Sequence, residues 1–594
     1  MSRVRLERMT SALLMPVALV ALVALAACAP APDARDQLYA LFEEDWAARL
    51  LESPQFATSV GDHSRNDELA DMSLEAIERR VERRRDLLGR LERIDVSGLT
   101  DADRINARMF ERQLRSSVQG FEFGGYQMPL NADSGFHMGF ARMHRPMPFR
   151  TPDHYDDYIA RMRAIPAYFE QQQSHMRAGI ERGFTLPRVT LEGYEDTISA
   201  HIVDDPQDSA FWAPFEEVPA SVGEMDRERI LTDAEAAITD AVVPAYQGFH
   251  DFFVGEYLPG ARDTIGASDL PDGQAYYADQ VRWFTTLDVT PQEVHEIGLS
   301  EVARIRAEMA DVIRETGFEG SYAEFLDFLR TDPRFYPKTA QELLERAAWI
   351  AKTMDGKLPS LFATLPRVPY TVEPVPDHMA PKYTAGRYVS APYNSTQPGI
   401  YWVNTYNLPS RPLYALAALT LHEAVPGHHL QTALAAEMAA VPEFRRHDYL
   451  SAFGEGWGLY AEYLGLEAGI YEDPYSNFGR LTYEIWRACR LVVDTGVHAL
   501  GWTRQQVLDY LAENTALSLH EVTTETDRYI SWPGQALAYK MGELKIRELR
   551  ARAEEALGED FDVRRFHDAV LANGSVPLDI LEELIDAWIE EQRR

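Results

Sequence analysis

The chain has 594 residues, of which 46% are hydrophobic, and a formal net charge of −35 at pH 7. So acidic a surface repels nucleic acid and bare anionic membranes, and we exclude both as partners. Only two cysteines are present, which excludes a disulfide framework, so the fold must be held by a hydrophobic core that this length can easily build.

The N-terminus has the pattern of an export signal. A short positively charged stretch precedes an apolar run over residues 12–27, which ends in Leu25-Ala26-Ala27-Cys28. This ending resembles a bacterial lipobox, in which the cysteine is lipidated and becomes the new N-terminus. We predict a signal peptide (1–27), a tether (28–35) lipidated at Cys28, and a place on the outer membrane facing the periplasm, with the lipid as the sole membrane contact. An ordinary secretory peptide is the alternative, and it also exports the chain.

The rest of the chain is predicted to be mainly helical. Apolar residues recur at helical spacing over 74–91, 155–182, 233–257 and 291–315. The last of these begins with Thr290-Pro-Gln-Glu293, a capping box with proline in the first turn. One strand is predicted at Gly399–Asn404, where β-branched and aromatic residues follow a turn-rich stretch.

We therefore expect one helical body over residues 36–594, with a small sheet close to the helix that carries the chemistry. The length also allows two lobes, 36–285 and 286–594.

The dipeptide His-Glu occurs three times, at His295, His422 and His520. His295 and His520 have no second histidine within the next two turns, so we interpret them as packing or surface residues. His422-Glu423 follows the apolar run 413–421, which predicts a buried helix. A buried helix that ends in charged groups is costly unless those groups have a function.

The spacing of the following histidines is unusual for a zinc site. In the standard motif the second histidine lies four residues after the first, but here that position is Pro426, and the next histidines are His428 and His429. On a straight helix the sixth residue points about 120° away, and the seventh lies about 10 Å along the axis. Pro426 must kink or bulge the helix at this turn. A bulge favours His428 as the second ligand, and His429 stays open as the alternative.

A hydrolytic zinc site needs three protein ligands, an open position for water and a nearby base. Glu455 is the candidate third ligand, because Gly454 and Gly456 on either side of it allow two helices to approach closely. Glu462 lies two turns further on the same face, where it can hydrogen-bond to a histidine ring from behind. Together with His422 and His428 this predicts a site for one zinc ion, with Glu423 as the base.

Four stretches resemble the bacterial family catalogued as domain of unknown function 885, whose members are often lipoproteins. They are His422–Gln431, Gly454–Glu462, Asp494–Trp502 and Arg528–Lys540, and the likeness extends from about residue 36 to the end. More distantly, the site is similar to those of thimet oligopeptidases and Taq-type carboxypeptidases, helical zinc enzymes with a zincin-like fold and a deep groove. Dipeptidyl peptidase III is similar too, with one extra residue between its histidines where this chain has two.

The resemblance implies a zinc-dependent peptidase that acts on oligopeptides through a metal-activated water. The candidate oxyanion donors are Tyr539 and Tyr529, with His498 and Arg528 behind them. A packing role in the core is the alternative for each of them. The predicted strand 399–404 would hydrogen-bond an extended peptide by edge addition. Two alternatives stay open: an amidase acting on another amide, and an inactive envelope lipoprotein that binds peptide or zinc. Glu423 argues against the second, because a binding site does not require a base.

Overall fold

The computed structural model describes residues 33–377, 379–391, 396–438 and 441–594. The predicted signal peptide, Cys28 and the first part of the tether lie outside the described residues. The fold class is confirmed as mainly α with a three-stranded sheet. No helix in the described ranges is both long and apolar enough to cross a membrane.

The first half of the chain is helical. Its α-helices are α1 (Ala34–Glu52), α2 (Pro54–Ser59), α3 (Leu74–Leu91), α4 (Asp101–Phe123), α5 (Pro152–Arg182), α6 (Asp196–Ser199), α7 (Glu224–Ala237), α8 (Val243–Phe252), α9 (Leu258–Gly260), α10 (Gly273–Thr285), α11 (Pro291–Thr316), α12 (Tyr322–Thr331), α13 (Ala340–Asp355) and α14 (Leu358–Leu361).

The strands separate these helices from a second helical series. The strands are β1 (Tyr370–Pro374), β2 (Gly386–Val389) and β3 (Gly399–Val403). The helices that follow are α15 (Leu413–Glu423), α16 (His428–Ala436), α17 (Glu443–Arg446), α18 (Ser451–Glu467), α19 (Pro474–Leu500), α20 (Arg504–Asn514), α21 (Leu519–Ser531), α22 (Ala538–Leu557), α23 (Val563–Leu571) and α24 (Leu578–Gln592).

Three of the four predicted helical stretches are single helices in the structure: α3, α5 and α11. The capping box of α11 is confirmed, because the Thr290 side chain accepts from the Glu293 amide and the Glu293 carboxylate accepts from the Thr290 amide. The fourth stretch is divided by π-turns at 238–242 and 253–257. Each π-turn ends just before Pro244 or Pro259, which cannot donate the next helical hydrogen bond.

The sheet has the order β1-β3-β2, with β3 in the centre. β1 runs parallel to β3, and β2 runs antiparallel to it. The predicted strand at 399–404 is therefore present, but both of its edges are already paired. The prediction that it binds a peptide by edge addition is wrong, because its backbone groups are used within the sheet. The edge nearest the chemistry belongs to β2.

The hydrophobic core does not divide at residue 285. One cluster joins Leu38 and Phe110 near the N-terminus with Trp457, Ile546 and Ile589 near the C-terminus. A separate cluster lies within residues 130–261. The first helices therefore pack on the last ones, and the division into two lobes near residue 285 stays a prediction.

Candidate metal centre

The helix that carries His422 stops one residue after it. Every residue of α15 from Tyr414 to Glu423 is buried, and the backbone leaves the helical region at Ala424, with φ −92° and ψ −109°. A second helix, α16, begins at His428. The predicted kink is therefore a complete break, and the four residues 424–427 connect two helices.

Backbone hydrogen bonds fix the shape of this break. The Gly427 amide donates to the Leu421 carbonyl at 3.0 Å, and the His429 amide donates to the Ala424 carbonyl at 3.1 Å. A Cβ atom on Gly427 would lie 1.9 Å from the carbonyl oxygen of His422, so a side chain has no space there. The chain can therefore turn sharply enough to bring His428 back towards His422.

Three potential ligands converge at the break. One ligand atom each from His422, His428 and Glu455 lie within 4.8 Å of one another. The Oε2 atom of Glu455 is 3.3 Å from Nε2 of His422 and 3.4 Å from Nε2 of His428. Two imidazole nitrogens and one carboxylate oxygen form a ligand set that zinc hydrolases use, so the residues present fit a zinc ion.

His429 faces away from these atoms. Its Nδ1 lies 3.0 Å from the hydroxyl of Tyr388, and its ring centroid is 4.6 Å from that of Tyr370 on β1. Burial lowers the pKa of His429 to about 4. The side chain therefore belongs to the contact between α16 and the sheet.

The ring of His422 is oriented from behind by Glu462. The Nδ1 of His422 donates to Oε1 of Glu462 at 2.8 Å, which leaves Nε2 directed at Glu455. Arg487 lies 3.6 Å from the same Glu462 oxygen. Burial lowers the pKa of His422, but hydrogen bonds to Glu455 and Glu462 outweigh it and raise the pKa to about 10. Such carboxylate partners orient histidine ligands in many metal sites.

Glu423 is held by the edge strand. The backbone amide of Tyr388 on β2 donates to Oε2 of Glu423 at 2.7 Å. The carboxylate follows His422 directly in sequence and is nearly buried, at 8% exposure. A positioned carboxylate beside the candidate ligands is what a general base requires. Sequence reasoning missed Tyr388, because its role comes from its backbone.

Tyr449 is a second residue that sequence reasoning missed. Its hydroxyl donates to Oε1 of Glu455 at 3.0 Å, so both carboxylate oxygens of Glu455 have partners. Tyr449 is 46% exposed, yet burial and the charge of Glu455 raise its pKa well above the usual value. Tyr449 therefore contacts Glu455 from the solvent-accessible side of the centre. Its position six residues before Glu455 is the only sequence signal.

Tyr539 and Arg528 lie at the centre as expected. The ring of Tyr539 stacks on His422, with centroids 6.3 Å apart and planes 22° apart. Arg528 donates to the Tyr539 hydroxyl at 3.3 Å and to Oε1 of Gln535 at 2.7 Å. The Tyr539 ring therefore lies beside a candidate ligand, and Arg528 contacts the Tyr539 hydroxyl.

Tyr529 and His498 belong instead to the core. The Tyr529 hydroxyl accepts hydrogen bonds from Nε1 of Trp486 and Nε of Arg490, both at 2.7 Å. His498 donates from Nε2 to the Tyr529 carbonyl and accepts at Nδ1 from the Ala267 amide. Both side chains are buried and their polar atoms are engaged, so the expectation that they serve the oxyanion is corrected.

The chain matches the model of one protein family over residues 54–585, that of the bacterial proteins of unknown function called DUF885. It belongs to this family. No match is found among curated proteins.

Two solved structures resemble this DUF885 chain over almost its whole length. A "putative lipoprotein" from Colwellia psychrerythraea is 29% identical, with a TM-score of 0.88, and the match covers 94% of this chain and 100% of that one. A "putative lipoprotein of unknown function" from Shewanella oneidensis is 18% identical, with a TM-score of 0.68, covering 93% and 100%. The second likeness shows the fold alone.

The other two His-Glu pairs of this DUF885 chain are packing and surface residues. His295 is buried on α11, where its Nδ1 lies 2.8 Å from the Thr495 hydroxyl of α19. His520 is exposed near the start of α21. Among the described residues, His422 is the one of the three that lies beside a second histidine and a carboxylate able to share a metal ion.

Replacing Gly427 by alanine should disrupt the break between α15 and α16. The added Cβ meets backbone atoms of His422, which cannot move without shifting the ligand itself. We expect a loss of about 1–3 kcal/mol in the free energy of unfolding, together with weaker zinc binding, measured by thermal denaturation and zinc titration. Gly248→Ala is the control, because Gly248 lies in α8 with open space around it and should tolerate alanine. Equal behaviour of the two variants would contradict this account of the break.

Replacing Glu462 by glutamine should weaken zinc binding by about ten- to hundredfold, because the His422 ring loses its charged acceptor. The measurement is competition with a chromophoric chelator. Glu467→Gln on the same helix is the control, since Glu467 pairs with Arg550 and is not in contact with His422. Unchanged affinity in the Glu462 variant would show that Glu462 does not orient the ligand.

Proposed function

We propose that this DUF885 chain is a zinc-dependent peptidase that cleaves oligopeptides. The observation that carries the proposal is the convergence of His422, His428 and Glu455, with Glu423 fixed beside them. The three would hold one zinc ion, and the donor set is that of mononuclear zinc hydrolases with one position left for water. The zincin-like character of the fold is part of this proposal.

The side chains around the centre have complementary roles. A bound zinc ion supplies a Lewis acid, which lowers the pKa of water and polarises a carbonyl group. Glu423 accepts the proton from the attacking water and returns it to the leaving amine, while the Tyr388 amide holds its carboxylate in place. Tyr539, hydrogen-bonded to Arg528, donates to the oxygen that becomes negative. Glu462 keeps the His422 ring in its orientation.

We further propose that the protein is lipidated at Cys28 and anchored to the outer membrane, facing the periplasm. The Leu-Ala-Ala-Cys ending of the apolar N-terminal run supports this placement. Both structural relatives are described as a "putative lipoprotein", which supports the lipid anchor alone. Mass spectrometry of the N-terminal peptide from membranes tests it: a diacylglycerol on Cys28 supports the anchor, and an unmodified N-terminus overturns it.

The enzyme proposal is tested with the purified chain and a quenched-fluorescent peptide library. We expect one zinc ion per chain, peptide cleavage, loss of cleavage with a chelator and recovery when zinc is restored. Zinc without cleavage of any peptide would favour a binding lipoprotein, and cleavage confined to non-peptide amides would favour an amidase. Cleavage that survives complete removal of metal would overturn the zinc mechanism.

A further inference from the structure

Arginine side chains gather around an aromatic pair next to the candidate centre. The guanidinium carbon of Arg387 lies 5.3 Å from the ring centroid of Tyr383, and that of Arg145 lies 5.3 Å from the ring of Trp402. The two aromatic rings are themselves 5.9 Å apart. Arg387 on β2 is directly opposite Trp402 on β3, so both side chains are on the same face of the sheet.

No carboxylate of the described residues is in direct contact with these cations. Within the described ranges, Arg142, Arg145 and Arg387 form no ion pair with an acidic side chain within 4.0 Å. The chain has 93 acidic residues against 58 lysines and arginines, so carboxylates are not scarce. Burial lowers the pKa of Arg142, and the neighbouring charges of Arg145 and Arg387 lower it further. The positive charges of Arg145 and Arg387 lie against one aromatic pair, and an anion placed between them would relieve their repulsion.

The cluster also borders the catalytic groups. Arg387 is the neighbour in sequence of Tyr388, whose amide holds Glu423 at 2.7 Å. Burial and the charge of Arg528 act to lower the pKa of Arg387. Tyr383, Asp133 and Glu423 outweigh them, so the pKa of Arg387 is raised overall. Arg387 is therefore within electrostatic reach of both Glu423 and Arg528. Its side chain is exposed, so a ligand can contact it.

We propose that Arg145 and Arg387 bind a carboxylate of the peptide substrate close to the bond that is cleaved. The inference rests on the proposed peptidase function and adds a substrate class to it: peptides that carry a carboxylate near the scissile bond. Guanidinium groups pair with carboxylates through two parallel hydrogen bonds, so two arginines around one aromatic pair suit this ligand. The carboxylate comes from the C-terminus of the peptide or from an aspartate or glutamate side chain.

Matched peptides distinguish these sources. One sequence is made as the free acid, as the C-terminal amide, and with its acidic side chains replaced by their amides. In the zinc-loaded wild type we expect kcat/KM to fall about tenfold when the recognised carboxylate is removed. In Arg387→Gln and Arg145→Gln, removal of the same carboxylate from the peptide should lower kcat/KM by about twofold or less. Arg227→Gln is the control, because Arg227 is an exposed arginine of α7 that forms no ion pair among the described residues.

Calorimetric binding of the same peptides separates this inference from the peptidase proposal. If the wild type binds the acid more tightly than the amide and Arg387→Gln does not, the arginine subsite is supported even where no peptide is cleaved. The absence of cleavage would then overturn the peptidase proposal alone. Cleavage and binding of all three peptides with equal efficiency would overturn the subsite and leave the peptidase standing. Circular dichroism of each variant confirms that the fold is retained.

Discussion

Replacing Glu423 by glutamine is expected to lower kcat for peptide hydrolysis by at least about a hundredfold, while zinc stays bound. The amide cannot accept a proton from water, which is the role proposed for the carboxylate. Its oxygen can still accept the hydrogen bond from the Tyr388 amide, so the side chain should keep its position. The three candidate ligands are not altered, so the zinc content should match that of the wild type.

The measurement is kcat on a good library peptide, with zinc quantified in the same sample. Glu513→Gln is the control, because Glu513 is exposed on α20 and its charge is removed in the same way. A Glu423 variant as active as this control would remove Glu423 as the base. A variant that loses both zinc and activity would instead show that Glu423 supports the metal site, and the proton acceptor would have to be sought elsewhere.

Local sequence signals predicted the residue types of the centre well. The apolar run before His422 predicted a buried helix, and the glycines beside Glu455 predicted a close approach of helices. Both predictions depend only on residues that are close to His422 or Glu455 in the sequence. Glu462 could be placed behind a histidine because helical periodicity puts it on the same face as Glu455. The structure brings these side chains together, with Glu462 2.8 Å from His422.

The geometry of the break could not be predicted from local signals. Proline and glycine show that α15 must be interrupted, but they do not determine how the chain continues. The continuation depends on a distant contact, in which Nε1 of Trp457 donates to the Pro426 carbonyl at 2.8 Å. The sheet gives the same lesson. The sequence of β3 indicates a strand, whereas its central position depends on pairing with β1 and β2.

Membership of a motif did not reveal which face a side chain occupies. Tyr529 and Tyr539 both lie in the stretch 528–540, yet only Tyr539 stacks on His422. Tyr529 is on α21 and Tyr539 is at the start of α22, and the connection between these helices decides their directions. Conversely, Tyr388 contacts Glu423 through its backbone amide, and the type of its side chain gives no indication of that contact.

The neighbouring histidines 428 and 429 provide the sharpest test of the metal centre. His428→Ala is expected to weaken zinc binding by more than about a hundredfold, because one of three protein ligands is lost. His429→Ala is expected to keep zinc within a few-fold of the wild-type affinity. It should instead lower the free energy of unfolding by about 1–3 kcal/mol, because the Tyr388 hydroxyl loses one hydrogen-bond partner and the Tyr370 ring loses its contact with His429.

The two variants remove the same side chain at adjacent positions, so each is the control for the other. Zinc titration and thermal denaturation are carried out on both variants. If the break turns His428 towards Glu455 and His429 towards the sheet, the His428 variant has the weaker zinc affinity and the His429 variant has the lower stability. The reverse order would mean that α16 begins in another register when metal binds. The connection 424–427 would then be a hinge, and Gly427 would matter because it permits that movement.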